Sequence, residues 1–137
     1  MFKKKNKETA TDKNVLIASL LIHAAKIDEN YTDIEKKIIK KALVDLYKIS
    51  LDGAEKILIK AEKKEQESNQ IHEFTKEIKK NSMEFRLKII EILWQIVYSD
   101  DSNDMYESNL IRRVCGLLYI PDADSGKIKL KVKNSIK

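Results

Sequence analysis

Two clusters of acidic side chains are the part of this sequence that could bind a ligand. The first cluster comprises Asp28, Asp33 and Glu35, and the second comprises Asp100, Asp104 and Glu107. Hard cations such as Ca²⁺ and Mg²⁺ require several oxygen ligands within a small space, and a helix–turn–helix corner rich in carboxylates can supply two or three. The two clusters therefore define a candidate site for a divalent cation, with Ca²⁺, Mg²⁺ or Zn²⁺ as the ions to test.

The same acids also have a purely structural interpretation, which we favour. Thr32-x-x-Glu35 and Asp104-x-x-Glu107 both have the spacing of a capping box, in which side chains at a helix start satisfy free backbone amides. Neither corner has the ligand spacing or the glycine of an EF-hand loop. Because a cap contributes about 1 kcal/mol, we expect Asp104→Ala to lower the stability by that amount.

The remaining reactive side chains give little support for catalysis. His23 lies in an apolar run and His72 on a short helix, and neither has a cysteine or second histidine at ligand spacing. Cys115 and Trp94 lie among apolar residues and are predicted to be core. No glycine-rich phosphate loop is present. We therefore predict no enzymatic activity, with a metal-dependent activity at the acidic turns as the alternative.

The elements that would position the acidic turns are helices. The chain has 137 residues, 42% of them hydrophobic, with three Gly and one Pro, which favours one all-α domain with short loops. Residues 15–25 and 85–98 are apolar nearly all round, which is typical of centrally buried helices. Hydrophobic periodicity predicts a helical bundle of about six to seven helices.

The other predicted helices are amphipathic. The buried face of the second helix is predicted to consist of Ile34, Ile38, Ile39, Ala42, Leu43 and Leu46. The far end of the third helix, residues 62–68, is predicted to carry solvated charged side chains. A short fourth helix carries Ile71, Phe74 and Ile78, and Pro121 ends the sixth. We expect a loose basic lead over residues 1–12, a domain over 13–130 and a basic tail over 131–137. Residues 127–133 have the two-residue period of a strand, and a frayed helix or an arm that orders on contact are the alternatives.

The chain contains an internal repeat with a shift of 72 residues. Asp28 corresponds to Asp100 and Glu35 to Glu107, while Thr32 corresponds to Asp104. Each half reads as a buried helix, an acidic turn and a capped amphipathic helix. Two such hairpins are predicted to pack with their buried helices central, related by an approximate two-fold axis.

Together, these features resemble the TerB family of tellurite-resistance proteins. The resemblance rests on AKIDENYTDIEKKII in the first half and WQIVYSDDSNDMYESNLIRRVCGLLYIP in the second, and it covers residues 15–130. It implies an all-helical bacterial protein associated with tellurite and general stress resistance, with acidic residues proposed as metal ligands and no firmly attached enzymatic activity. The chain departs from the family pattern at Glu29 and Asp101, where the family favours glycine.

The distribution of charge limits the partners. The net charge is +5, but residues 1–14 contribute +3 and residues 127–137 contribute +5, so the body between them is mildly acidic. No arginine alternates with aromatic residues in the basic ends, which disfavours nucleic acid, and a membrane surface is a weak alternative. No signal peptide or transmembrane segment is predicted. We expect a non-enzymatic cytoplasmic protein that acts through protein partners.

Overall fold

The computed structural model describes the backbone of residues 2–26, 31–67, 71–99 and 105–135, and the side chains in these ranges except 2–12 and 105–108. These residues form seven α-helices and no strand. The helices are α1 (Phe2–Ala25), α2 (Asp33–Tyr47), α3 (Leu51–Glu67), α4 (Ile71–Lys79), α5 (Met83–Tyr98), α6 (Met105–Leu117) and α7 (Asp122–Ser135). The prediction of an all-α bundle of about six to seven helices is confirmed.

Helices α1 and α5 form the centre of the bundle. Helix α1 packs against α2, α3, α4 and α5, and α5 also packs against α2, α6 and α7. Their apolar sequences make this possible, since side chains on several faces, such as Leu20, Ile22, Ile90 and Leu93, are completely buried. The two apolar runs therefore have the central positions expected of them. The approximate two-fold axis between the halves stays a prediction.

Both chain ends are helical where the structure describes them. The backbone is helical from Phe2, and the loose lead over residues 1–12 stays a prediction. A helix that already includes a well-buried segment extends at little cost through residues without Gly or Pro. Residues 127–133 form part of α7 and not a strand. Helix α7 begins after Pro121 with Asp122 and Asp124 in its first turn, and its Val132 is buried.

Two side chains have the opposite burial from the one predicted. Ile34 is exposed, because it lies about 140° around α2 from Ile39, the centre of the buried stripe. Glu65 is buried, although the end of α3 was predicted to be solvated charge. Its burial depends on ion pairs with α1, described below.

Candidate functional site

The first acidic corner contains the predicted capping box. The backbone amide and hydroxyl of Thr32 donate to Oε1 of Glu35 over 2.8 and 3.2 Å, and the amide of Glu35 donates to Oγ1 of Thr32 over 3.2 Å. Thr32 has an extended backbone, as an N-cap requires, and Glu35 is buried. The capping interpretation is confirmed at this corner.

Most of the other predicted metal ligands lie outside the described residues. Asp28, Asp100 and Asp104 lie outside the described residues, and Glu107 lies in α6 without a described side chain. Asp33 is exposed at the first residue of α2. Among the described residues, no three His, Cys, Asp or Glu side chains come together as a metal site would require. The divalent-cation site stays a prediction.

Beside this corner lies an ionic cluster that the sequence analysis missed. Nδ1 of His23 lies 3.2 Å from Oε2 of Glu65, and Nζ of Lys26 donates to Oε1 of Glu65 over 2.8 Å. Because a carboxylate only accepts, the Nδ1 atom carries the proton in this contact. His23 is on α1, Lys26 directly follows this helix and the acid is on α3, so the cluster ties the end of α1 to α3. His23 thus has a structural contact with Glu65 that links α1 to α3.

A second group of contacts continues along α3. The hydroxyl of Tyr31 donates to Oε2 of Glu62 over 3.0 Å, and Nζ of Lys36 lies 3.8 Å from the same oxygen. Burial, followed by the hydrogen bond to Glu62, raises the pKa of the Tyr31 hydroxyl above its usual range. Two turns earlier on α3, Glu55 pairs with Lys40 of α2 over 2.9 Å. Helix α3 therefore presents a row of acids. Basic side chains from the end of α1 and from α2, together with the Tyr31 hydroxyl, match these acids.

A groove of different character runs between α4 and α6. It has two adjoining hollows, of about 500 and 310 Å³, that share His72, Gly116 and Leu117. Helix α4 contributes His72, Lys76 and Lys79, which are spaced four and three residues apart and so share one face. Helix α6 contributes Arg113 across the groove. The sequence pattern did not predict this groove.

The end of α6 shapes one end of this α4–α6 groove. The amide of Ile120 donates to the carbonyl of Cys115 and that of Tyr119 to Gly116, which is a Schellman ending with Tyr119 in the left-handed region, φ 57°. Nη1 of Arg86 donates to the carbonyl of Leu118 over 2.6 Å. This ending places the exposed Tyr119 ring beneath Lys79, whose Nζ is 4.6 Å from the ring centre.

Among the described residues, no acid neutralises the charges in the α4–α6 groove. None of its described lining residues is Asp or Glu. Lys76, Lys79 and Arg113 make no ion pair with any residue in the described ranges, whereas the neighbouring Glu73 pairs with Lys64 outside the groove. The groove therefore carries a net positive potential over a partly apolar floor.

Trp94 on α5 and Cys115 on α6 have structural roles. Nε1 of Trp94 donates to Oγ of Ser125 over 3.2 Å, which anchors α7 on α5. Trp94 also stacks with Tyr98 at 6.0 Å and lies 5.1 Å from Nζ of Lys129. Cys115 is buried, and burial raises the pKa of its thiol, so it is not a thiolate nucleophile. The core positions predicted for Trp94 and Cys115 are confirmed.

The fold and these sites define a helical bundle with a capped acidic corner and a basic groove. A family model described as tellurite resistance protein TerB matches residues 14–130. The chain belongs to the TerB family. No curated protein and no solved structure matches the chain. Within the residues that the structure describes, none of the helices combines the length and apolar character needed to span a bilayer.

Proposed function

We propose that this TerB-family protein acts in tellurite resistance and the related stress response as a non-enzymatic, cytoplasmic protein-interaction module. Family membership supports the link to tellurite. The α4–α6 groove supports the mode of action, because it offers a long open surface of positive charge and apolar floor.

The chemistry of the α4–α6 groove favours binding over catalysis. A catalytic centre needs a nucleophile or a paired acid and base, with groups arranged to stabilise the developing charge. The described lining residues include one histidine, Thr75 and three cations, but no carboxylate or thiol that could pair with His72. Unneutralised cations beside apolar side chains instead attract an acidic partner and then exclude water from it.

The proposal is tested by tellurite challenge of a strain that lacks the gene. We expect wild-type protein to restore tolerance and Lys76→Glu/Arg113→Glu to fail. Lys37→Glu/Lys41→Glu is the matched control, because it reverses the same number of charges at exposed positions of α2 that make no ion pair with described residues. Circular dichroism and melting curves establish that both variants fold. Full tolerance with the groove variant would contradict the proposed mode of action.

A second proposal retains the divalent cation at the acidic corners, with Asp28, Asp33, Glu35, Asp100, Asp104 and Glu107 as ligands. The exposed Asp33 carboxylate is compatible with it, and oxygen donors suit Ca²⁺ or Mg²⁺. Glu35 fits less well, since its Oε1 already accepts two hydrogen bonds from Thr32. The bound ion would supply cross-linking of the corner or, in the metal-dependent alternative, Lewis acidity.

Calorimetric titration with Ca²⁺, Mg²⁺ and Zn²⁺ tests the cation. We expect heat from the wild type and a loss of that heat in Asp28→Asn/Asp33→Asn. The control is Asp45→Asn, an exposed acid near the other end of α2. No heat, together with an unchanged melting temperature at millimolar ion, would exclude both the metal site and the metal-dependent activity.

The third hypothesis, binding of nucleic acid or a membrane surface by the lysine-rich ends, has less support. In α7, Lys129 lies over Trp94 and Lys131 is 3.5 Å from Glu91, so two of its lysines are already engaged. Lys127→Glu/Lys133→Glu tests the remaining two. Absence of salt-sensitive binding to anionic vesicles or oligonucleotides in the wild type would end this hypothesis.

A further inference from the structure

We propose that the α4–α6 groove binds a short acidic segment of a partner protein that carries an apolar side chain between its carboxylates. This inference rests on the proposed function and names the chemistry of the partner. The carboxylates would pair with Lys76, Lys79 and Arg113 and accept a hydrogen bond from His72, and the apolar side chain would occupy the floor beside Gly116.

The spacing of the polar side chains on α4 indicates a segment with several carboxylates and not a single anion. His72 and Lys79 are seven residues apart on one face of α4, which corresponds to about 10 Å along the helix axis. One phosphate or carboxylate cannot reach both ends of such a row. An extended peptide covers this distance with about three residues. Several carboxylates on one segment therefore match the groove better than a small anion.

The floor of the α4–α6 groove indicates an apolar side chain within that segment. Ile71 and Leu117 line the first hollow, and Leu117 remains partly exposed. Gly116 lies between the hollows, and a Cβ added there would meet no atom within 4 Å. The missing side chain leaves open space on an apolar surface. Burial of an apolar side chain in such a space provides the anchor that charge pairs at a solvated rim do not.

A nucleic acid fits the α4–α6 groove less well than an acidic peptide. Proteins that bind single strands without sequence preference stack successive bases on several aromatic rings. Tyr119 is the one aromatic side chain among the described lining residues, and it is 65% exposed. Lys79 already lies over one face of its ring. The groove therefore combines cations with aliphatic floor, which suits acidic and apolar amino acids.

Fluorescence polarisation of a labelled probe peptide tests the inference on the full chain. The probe has a central leucine flanked on each side by glutamates and aspartates, and the comparison ligands are a polyglutamate of equal charge and an oligothymidylate. We expect the probe to bind more tightly than either comparison ligand. Its binding should become weaker at about 300 mM salt. Lys76→Glu/Arg113→Glu should weaken binding at least about fivefold relative to Lys37→Glu/Lys41→Glu.

Gly116→Leu tests the floor without changing the charge. The added side chain enters the space between the hollows, so we expect the same loss of probe binding with unchanged salt dependence. The melting temperature should stay equal or rise, since glycine is unfavourable inside a helix. Amide shifts in a ¹H–¹⁵N titration should map to α4 and the end of α6.

Several outcomes would overturn the inference. Equal binding of polyglutamate and probe would show that the floor takes no part, and tighter binding of the oligothymidylate would indicate a nucleic-acid site. Probe binding that survives both groove variants would place the contact elsewhere. If tolerance to tellurite depends on the groove but the probe does not bind, only the acidic occupant is wrong. If the probe binds in the groove but the groove variants still restore full tolerance to tellurite, the proposed function is wrong and the binding site stands.

Discussion

The α1–α3 contact and the α4–α6 groove use charged side chains in opposite ways. Between α1 and α3, Glu65 is 8% exposed and meets both His23 and Lys26. Along the α4–α6 groove, Lys76 and Arg113 are exposed and meet no acid among the described residues. One region neutralises its charges internally, while the other leaves them available to solvent and ligands.

This difference separates side chains that stabilise the fold from side chains available for binding. A buried carboxylate is tolerated only when cations and hydrogen bonds replace its hydration, so Glu65 and its partners depend on each other. An exposed lysine keeps its hydration and costs the fold little, and its charge acts at a distance on approaching molecules. Substitutions in the first region should therefore change stability, and substitutions in the second should change binding.

The largest effect that tests this comparison is expected from Glu65→Ala. Removal of the carboxylate leaves His23 and Lys26, which are 25% and 36% exposed, facing a poorly hydrated gap. We expect the free energy of unfolding to fall by about 2 kcal/mol, less than for a fully buried pair because both side chains retain some water. Urea denaturation monitored by circular dichroism measures the change.

Two controls accompany Glu65→Ala. Glu67→Ala removes an exposed acid two residues further along α3 and should change the stability by less than about 0.5 kcal/mol. Lys76→Glu/Arg113→Glu in the α4–α6 groove should also leave the stability nearly unchanged. If the groove variant unfolds as easily as Glu65→Ala, the division between the two regions does not hold.

The sequence predicted the first acidic corner because a capping box is a local feature. Thr32 and Glu35 are three residues apart, and their roles do not depend on the rest of the fold. Burial of Glu65 was not predictable in this way, because it depends on the rotation of α3 against α1. The charged run around Glu65 gave no local sign of which acid would face inward.

The α4–α6 groove was missed for a related reason. His72 and Gly116 are 44 residues apart in sequence, and neither indicates a site alone. Only the packing of α4 on α6 brings them together. A signal was nevertheless present, since His72, Lys76 and Lys79 repeat with helical spacing on one face. The apolar pattern of α1 and α5 was enough to predict that these helices form the core, because a helix that is apolar on most faces must be buried.

The next prediction compares the two acidic corners themselves. Thr32→Ala removes the hydroxyl that accepts from the Glu35 amide, and we expect a loss of about 1 kcal/mol. Asp104→Ala should cost a similar amount if the second corner is capped in the same way as the first. Thermal melts of both variants and of the double variant measure this, and additive losses are expected for separate caps. A neutral Asp104→Ala would mean that the repeat does not extend to the cap and would favour another role for this acid.

The smallest predicted effects come from two tyrosines, one with a paired hydroxyl and one with a hydroxyl that is unpaired within the described ranges. The Tyr31 hydroxyl donates to Glu62, whereas the buried Tyr47 hydroxyl has no hydrogen-bond partner among the described residues. At neutral pH, Tyr31→Phe should therefore lower the stability by about 0.5 to 1 kcal/mol, and Tyr47→Phe should leave it equal or raise it by up to about 1 kcal/mol. Opposite signs are expected because one substitution removes a bond and the other removes an unpaired polar atom.

Alkaline pH adds an independent test of both hydroxyls. Burial raises the pKa of Tyr31 and of Tyr47 in the folded protein, while an unfolded tyrosine titrates near pH 10. Below about pH 10 both states keep the proton and the stability contribution is complete. Above it the unfolded chain loses the proton first, so stability falls as pH rises, and replacing either tyrosine by phenylalanine should make that fall shallower. Urea midpoints of the two variants and the wild type across this range measure the slope. If both variants kept the wild-type slope, the two hydroxyls would have the same pKa in the folded and unfolded states. That result would contradict their burial in the folded protein.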